Sequence, residues 1–215
     1  MKLFITSFLI LLISNTGFSQ ALQKGDIDVH AGLGFGIYNF TIKAFETENA
    51  DAVPGLLNAG AAYRISDAFA LGIDYERNGF VTDADSNSKV VSQNFGITAG
   101  YSLLNSDKNV LTPFFQIGAT RLKFENFDNQ DYVTANGLQL QFGLAWNHYF
   151  GERFGMFINA SAPYYSYSKF KSSNGDVYEE SRVVNDSQGN PVVETRVVDG
   201  YMTGVNIRLG LALKL

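Results

Sequence analysis

His30 and His148 are the only imidazoles in this chain of 215 residues, and there is no cysteine. Histidine is the side chain best suited to moving a proton near neutral pH. Neither histidine has metal-ligand spacing to a second ligand, and no nucleophile elbow is present. Lack of cysteine excludes disulfides and an acylated N-terminal cysteine. The remaining groups that could do chemistry are seven charges: Asp26, Asp28, Arg64, Asp74, Glu76, Arg208 and Lys214. All fall on the polar side of alternating stretches. Such a set could act as a selectivity filter in a pore. The favoured reading is an ion network that plugs a narrow lumen, because unpaired charge is costly to bury and eight strands leave little aqueous bore. Acidic residues outnumber basic ones, 21 to 16, and no basic stripe appears, so nucleic acid is not an expected partner.

The elements that must position these groups are strands. From Tyr201 to Leu215 every second residue is apolar, with Thr203 the one lapse, and Asn206, Arg208 and Lys214 lie opposite. A strand has period two, so this stretch has one greasy side and one small or polar side. Seven further stretches repeat the pattern: Asp26 to Phe40, Leu56 to Ile65, Phe69 to Asn78, Val90 to Leu103, Val110 to Phe124, Thr134 to Phe150 and Phe154 to Lys169. Phe114 and Phe157 are exceptions on the polar side. The connections alternate in length. Ser66 to Ala68, Asn105 to Asn109 and Gly151 to Arg153 are short, whereas Lys43 to Pro54, Gly79 to Lys89, Glu125 to Val133 and Phe170 to Asp199 are long. That is the layout of an outer-membrane barrel, with short periplasmic turns and long external loops.

Gly32, Gly34, Gly36, Gly60, Gly72, Gly96, Gly100, Gly118, Gly143, Gly204 and Gly210 fall on the non-apolar side. Eight strands enclose a bore only wide enough to be filled by side chains, so small residues there make room for long polar ones. The expected fold is therefore an all-β, eight-stranded antiparallel up-and-down barrel crossing the membrane, spanning residues 20–215 as one domain. Met1 to Ser19 reads as a signal peptide, with Lys2, an apolar run from Leu3 to Ile13, and small residues Gly17 and Ser19 before the cut. The apolar run is shorter than the ~20 residues a spanning helix needs. A secreted lipocalin-type barrel with its apolar side inward is the soluble alternative. The polar clusters of Gly, Arg, Gln and Asn argue against it.

At these residues the chain resembles a known group. Ala59 to Tyr75, reading Ala59-Gly60-Ala61-Ala62-Tyr63-Arg64-Ile65-Ser66-Asp67-Ala68-Phe69-Ala70-Leu71-Gly72-Ile73-Asp74-Tyr75, is similar to the strand-turn-strand unit of OmpA/OmpX-like outer-membrane barrels. Arg208 to Leu215 resembles the terminal strand read by the barrel-assembly machinery, with Leu215 standing where an aromatic is usual. The resemblance implies a Gram-negative outer-membrane protein. The chain ends with the barrel, so the peptidoglycan-binding domain of full OmpA-type proteins is expected to be absent, and a monomer without a cofactor is expected. Barrel enzymes that modify lipid A use a histidine near the outer surface. Both histidines here lie at the opposite end, so an enzyme is not expected.

Tyr63, Phe69, Tyr101, Trp146, Phe150 and Phe154 border the short turns, and Tyr75, Phe95, Tyr164 and Tyr201 lie toward the long loops. Interfacial girdles explain them better than ligand stacking. Arg77, Arg121 and Lys123 have outward parity just beyond the apolar band. They could meet lipopolysaccharide phosphates or remain solvated. Between residues 177 and 198, two β-branched runs flank an Asn/Asp/Ser/Gly turn. The pattern predicts a hairpin that extends the last two strands outward and could engage a surface protein. The expected function is structural or adhesive, through the external loops. A small pore for ions or solutes is the alternative.

Overall fold

The eight alternating stretches close into a ring. In the computed structural model the described residues are 21–80, 89–127, 130–185, 188 and 190–215. The proposed signal segment lies outside them, as does most of the connection after residue 80. Eight long strands form the wall: β1 (Ile27–Lys43), β3 (Pro54–Arg64), β4 (Phe69–Phe80), β5 (Lys89–Tyr101), β7 (Asn109–Phe127), β8 (Gln130–Tyr149), β9 (Phe154–Ser172) and β12 (Asp199–Lys214). Each pairs antiparallel with its neighbour in the chain, and β12 returns to β1 from Asp28↔Lys214 to Lys43↔Asp199. Closure satisfies the backbone groups of every wall strand, the condition for crossing lipid without a helix.

Parity follows the alternation. Leu33, Ile37, Phe142, Leu209 and Leu211 point outward and are well exposed, while Gln139, Gln141, Asn94 and Arg208 are buried inside. This is a globular protein turned inside out, with its apolar surface offered to hydrocarbon. The small residues act where the wall bends or a long side chain crosses. Gly96 and Gly118 face each other between β5 and β7. A Cβ on Gly118 would fall 2.5 Å from the Gly96 Cα.

Three features differ from the expected layout. The stretch Lys43 to Pro54 is not an open loop. β2 (Thr47–Ala52) folds back onto the top of β1, from Lys43↔Thr47 to Tyr38↔Ala52. Its residues are exposed almost throughout, so the ladder forms without any apolar alternation to announce it. The short β6 (Leu104–Asn105) likewise continues the line of β5 against β7. The ribbon of β10 (Glu179–Asn185) and β11 (Pro191–Val197) does form, but as a separate two-stranded sheet rather than an extension of the wall.

Candidate functional site

The polar core sits mid-barrel. Arg208 of β12 forms an ion pair across the lumen with Glu76 of β4, two strands, β1 and β3, standing between them in the wall. Both side chains are almost fully buried, at 6% and 4% exposure. Tyr165 donates from its hydroxyl to Glu76 Oε1 at 2.9 Å, and Asn94 Nδ2 donates to the same oxygen at 3.3 Å. Arg208 Nη2 also donates to Gln141 Oε1 at 3.3 Å. The guanidinium reaches this position because Gly34 stands beside it; a Cβ there would lie 2.9 Å from the Arg208 Cα.

Asp74, one residue pair below Glu76 on β4, meets a different partner. His30 Nε2 lies 2.8 Å from Asp74 Oδ1, and Thr98 Oγ1 donates to Asp74 Oδ2 at 2.7 Å. Gly60 leaves the space in which His30 and Asp74 meet. Phe157 packs its edge against the His30 ring, with centroids 5.4 Å apart. Imidazole and hydroxyl thus both bind the carboxylate instead of each other.

The other predicted charges occupy separate positions nearer the short turns. Arg64 Nη1 donates to Ser102 Oγ at 2.6 Å, and Ser102 in turn contacts Thr112 at 3.0 Å. Asn147 Nδ2 donates to Asp28 at 2.9 Å. Asp26 and Lys214 stand 4.0 Å apart at the rim. The seven charges therefore form several local sets instead of one continuous chain. A cavity of about 100 Å3 lies among Asp28, His30, Arg64, Asp74 and Arg208. It has polar walls and room for a few waters.

Both ends of the bore are covered. Toward the long loops, Tyr38, Phe40, Leu122, Tyr165, Tyr167, Phe170 and Met202 pack into a buried apolar layer. Tyr165 and Tyr167 stack at 6.4 Å, and Phe40 meets Tyr167 edge-on at 6.2 Å. Toward the short turns, the segment before β1 folds into the opening. Ala21 and Leu22 are buried against Val110, Tyr149 and Ala212. Asn105 holds Leu22 from both sides, accepting from its N–H at 3.2 Å and donating to its carbonyl at 2.6 Å. Lys214 Nζ donates to the Ala21 carbonyl at 2.9 Å. His148 sits at this rim, bonded to Asn109 at 2.9 Å and flanked by the Trp146 and Phe150 rings.

Outside the wall, Arg77, Arg121 and Lys123 line one cleft together with Val91, Gln93, Glu125 and Tyr132. Strand register brings them there. Arg77 pairs with Gln93, and Gln93 with Arg121, forming a row across β4, β5 and β7. Lys123 is partly occupied, pairing with Glu125 at 2.8 Å and lying 5.0 Å from the Tyr132 ring centroid. That ammonium, through its hydrogen bond and charge, holds the Glu125 carboxyl below its ordinary pKa. At the loop end, the tip of the β1–β2 hairpin docks on the ribbon. Phe45 lies beneath the Arg182 and Arg196 guanidiniums, at 4.2 and 5.3 Å from its ring centroid.

Sequence reading missed His30 as an ion partner, although its parity with Asp28 was a usable signal. It also missed the aromatic layer. Tyr38, Phe40, Tyr165 and Tyr167 share inward parity, but single apolar residues inside an otherwise polar row look like lapses until eight strands are superposed.

A family model described as the outer membrane protein beta-barrel domain matches residues 9–184. Among solved structures, the outer membrane protein OprG from Pseudomonas aeruginosa aligns with a TM-score of 0.54 and 13% identity, covering 92% of this chain and 99% of that one. Neisserial surface protein A aligns with a TM-score of 0.50 and 12% identity, covering 86% of this chain and 98% of that one. No curated protein matches the chain by sequence. These structural likenesses are likenesses of fold.

Proposed function

The chain belongs to the outer membrane protein β-barrel domain family and resides in the outer membrane, and on that premise we propose that it is a non-enzymatic surface barrel with a closed lumen. It works through its external loops and the basic cleft on its outer wall. The observation that supports this is the filling of the bore at three levels: the aromatic layer, the Arg208–Glu76 pair and the Ala21–Leu22 segment. Moving an ion through would require breaking a buried, hydrogen-bonded charge pair, which costs several kcal/mol. Residues 1–19 act as the export signal, Arg208 to Leu215 present the strand read during assembly, and the mature protein is a monomer. Arg77, Arg121 and Lys123 hold lipopolysaccharide phosphates, and residues 177–198 meet a surface protein.

The test is a planar-bilayer recording on refolded protein. The closed-lumen reading expects no resolved single-channel openings from the wild type. Regular, ion-selective openings would replace it with the pore reading, which the polar cavity beside Arg208 favours. In that case Arg208→Ala should change the conductance.

A further inference from the structure

We propose that the cavity between the β1–β2 hairpin and the base of the ribbon binds an organic cation with an apolar body, such as an aralkyl or alkyl ammonium. The cavity measures about 400 Å3. That lies within the range of small-ligand sites, which begins at roughly 300 Å3. Its floor is apolar: Ile42, Phe124, Phe170 and Val198. Its rim is acidic: Glu46 and Glu48 from the hairpin, Glu179 and Glu180 from β10.

No lysine or arginine is among the residues that line it. Among the described residues, none of the four rim carboxylates takes part in an ion pair. The neighbouring arginines have other partners, although Arg196 stands directly across from Glu180 on the ribbon. Arg182 pairs with Glu194 at 2.8 Å, and Arg196 Nη1 donates to the Ala44 carbonyl at 3.3 Å. Four like charges around an apolar bowl repel one another and gain from a single cation placed between them. An anion would meet that field unfavourably, and a neutral apolar molecule would gain nothing from the rim. Aromatic rings in the floor add attraction for an ammonium group and burial for its stem.

The walls are also held in place before a ligand arrives. Phe45 N–H donates to Glu180 Oε2 at 3.1 Å, and the two arginines clamp the Phe45 ring. Fixing the hairpin against the ribbon in advance lowers the ordering cost of binding. The site lies on the outer side of the aromatic layer that caps the bore, and Phe170 and Val198 belong to both.

The experiment is a calorimetric titration of protein in lipid nanodiscs with 4-phenylbutylamine, with empty nanodiscs as the blank. Wild type should bind the amine saturably at one site, more weakly as salt is raised. The acid with the same body, 4-phenylbutyrate, should not bind. The variant carrying Glu46→Gln, Glu48→Gln, Glu179→Gln and Glu180→Gln should keep the folded gel band and bind the amine at least about tenfold more weakly. These side chains are exposed, so the variant tests charge without disturbing the barrel. Absence of saturable binding to wild type overturns the proposal, as does equal binding of amine and acid or an unchanged affinity in the variant. Binding of calcium chloride by wild type without binding of the amine would make the rim a metal site and overturn it too.

Discussion

Arg208 and Glu76 stand on strands separated by two others, yet their side chains meet across the lumen. Each is almost wholly removed from solvent, and Glu76 gains further donors from Tyr165 and Asn94. Removing one member of a buried pair leaves the other uncompensated, at roughly 3–5 kcal/mol. Arg208→Ala and Glu76→Gln are each expected to lower stability by that order in urea unfolding from lipid vesicles. The double variant should cost clearly less than the sum of the two. Strict additivity would mean that the two groups do not support each other in the folded protein.

The inside–outside assignment makes a second prediction on neighbouring positions of one strand. Leu209 is 61% exposed on the outer wall, and Asn206 is fully buried in the bore. A charge near mid-bilayer costs about 2–4 kcal/mol in barrels of this kind. Leu209→Arg should therefore sharply reduce folding yield into vesicles, whereas Asn206→Ser should fold with near wild-type yield. Equal yields from the two would reverse the assignment.

The wall was legible in the sequence because lipid imposes a strict period of two on every strand that crosses it. Ile207, Leu209 and Leu211 against Asn206, Arg208 and Gly210 need no tertiary information to be sorted. The bore was less legible, since which charges meet depends on strand tilt and register across the ring. Asp74 and Glu76 share parity, yet one meets His30 and the other Arg208. Phe170 shows where period two fails. The register of β8 and β9 shifts between Thr134 and Asn136, and opposite that shift Lys169 adopts φ of 55°. Such a bulge moves the following residue to the other side of the sheet. Phe170, outward by simple alternation, is turned into the aromatic layer and buried. Above the membrane both sides of a strand face water, so β2 carried no alternation to read.

The outer cleft gives a third prediction. Arg77 and Arg121 lie in one cross-strand row just beyond the apolar band, where lipid phosphates sit. Charge-assisted hydrogen bonds to such groups are worth roughly 1.5–3 kcal/mol when well formed. In vesicles containing lipopolysaccharide, Arg77→Ala with Arg121→Ala should remove stabilisation of about that size relative to phosphatidylcholine vesicles. Lys123 is already engaged by Glu125, so Lys123→Ala should matter less. Glu125→Gln frees that ammonium and should strengthen the dependence on lipopolysaccharide. If all four proteins respond equally to the two lipids, the cleft holds only solvated charges.

The ribbon gives the last prediction, and its docking makes the test sharper. β10 and β11 pair with each other, not with the wall, so the barrel's ladder is complete without them. What ties them down is the Phe45 ring under Arg182 and Arg196, the Phe45 N–H bond to Glu180 and the Arg196 bond to Ala44. Replacing residues 182–197 with a short Gly-Ser linker should leave the heat-modifiable gel shift of the folded barrel intact, because loop length affects closure entropy only weakly. It should also reduce attachment of whole cells to neighbouring surfaces if this segment carries the interaction. Phe45→Ala keeps the ribbon but removes both cation–π contacts, each worth about 0.5–1 kcal/mol when exposed. Trypsin acting on intact cells should then cut after Arg182 or Arg196 about fivefold faster than in wild type, with the barrel strands still protected. A shortened protein that fails to fold would assign the ribbon to the scaffold. One that folds and attaches as well as wild type would remove the adhesive role from residues 177–198.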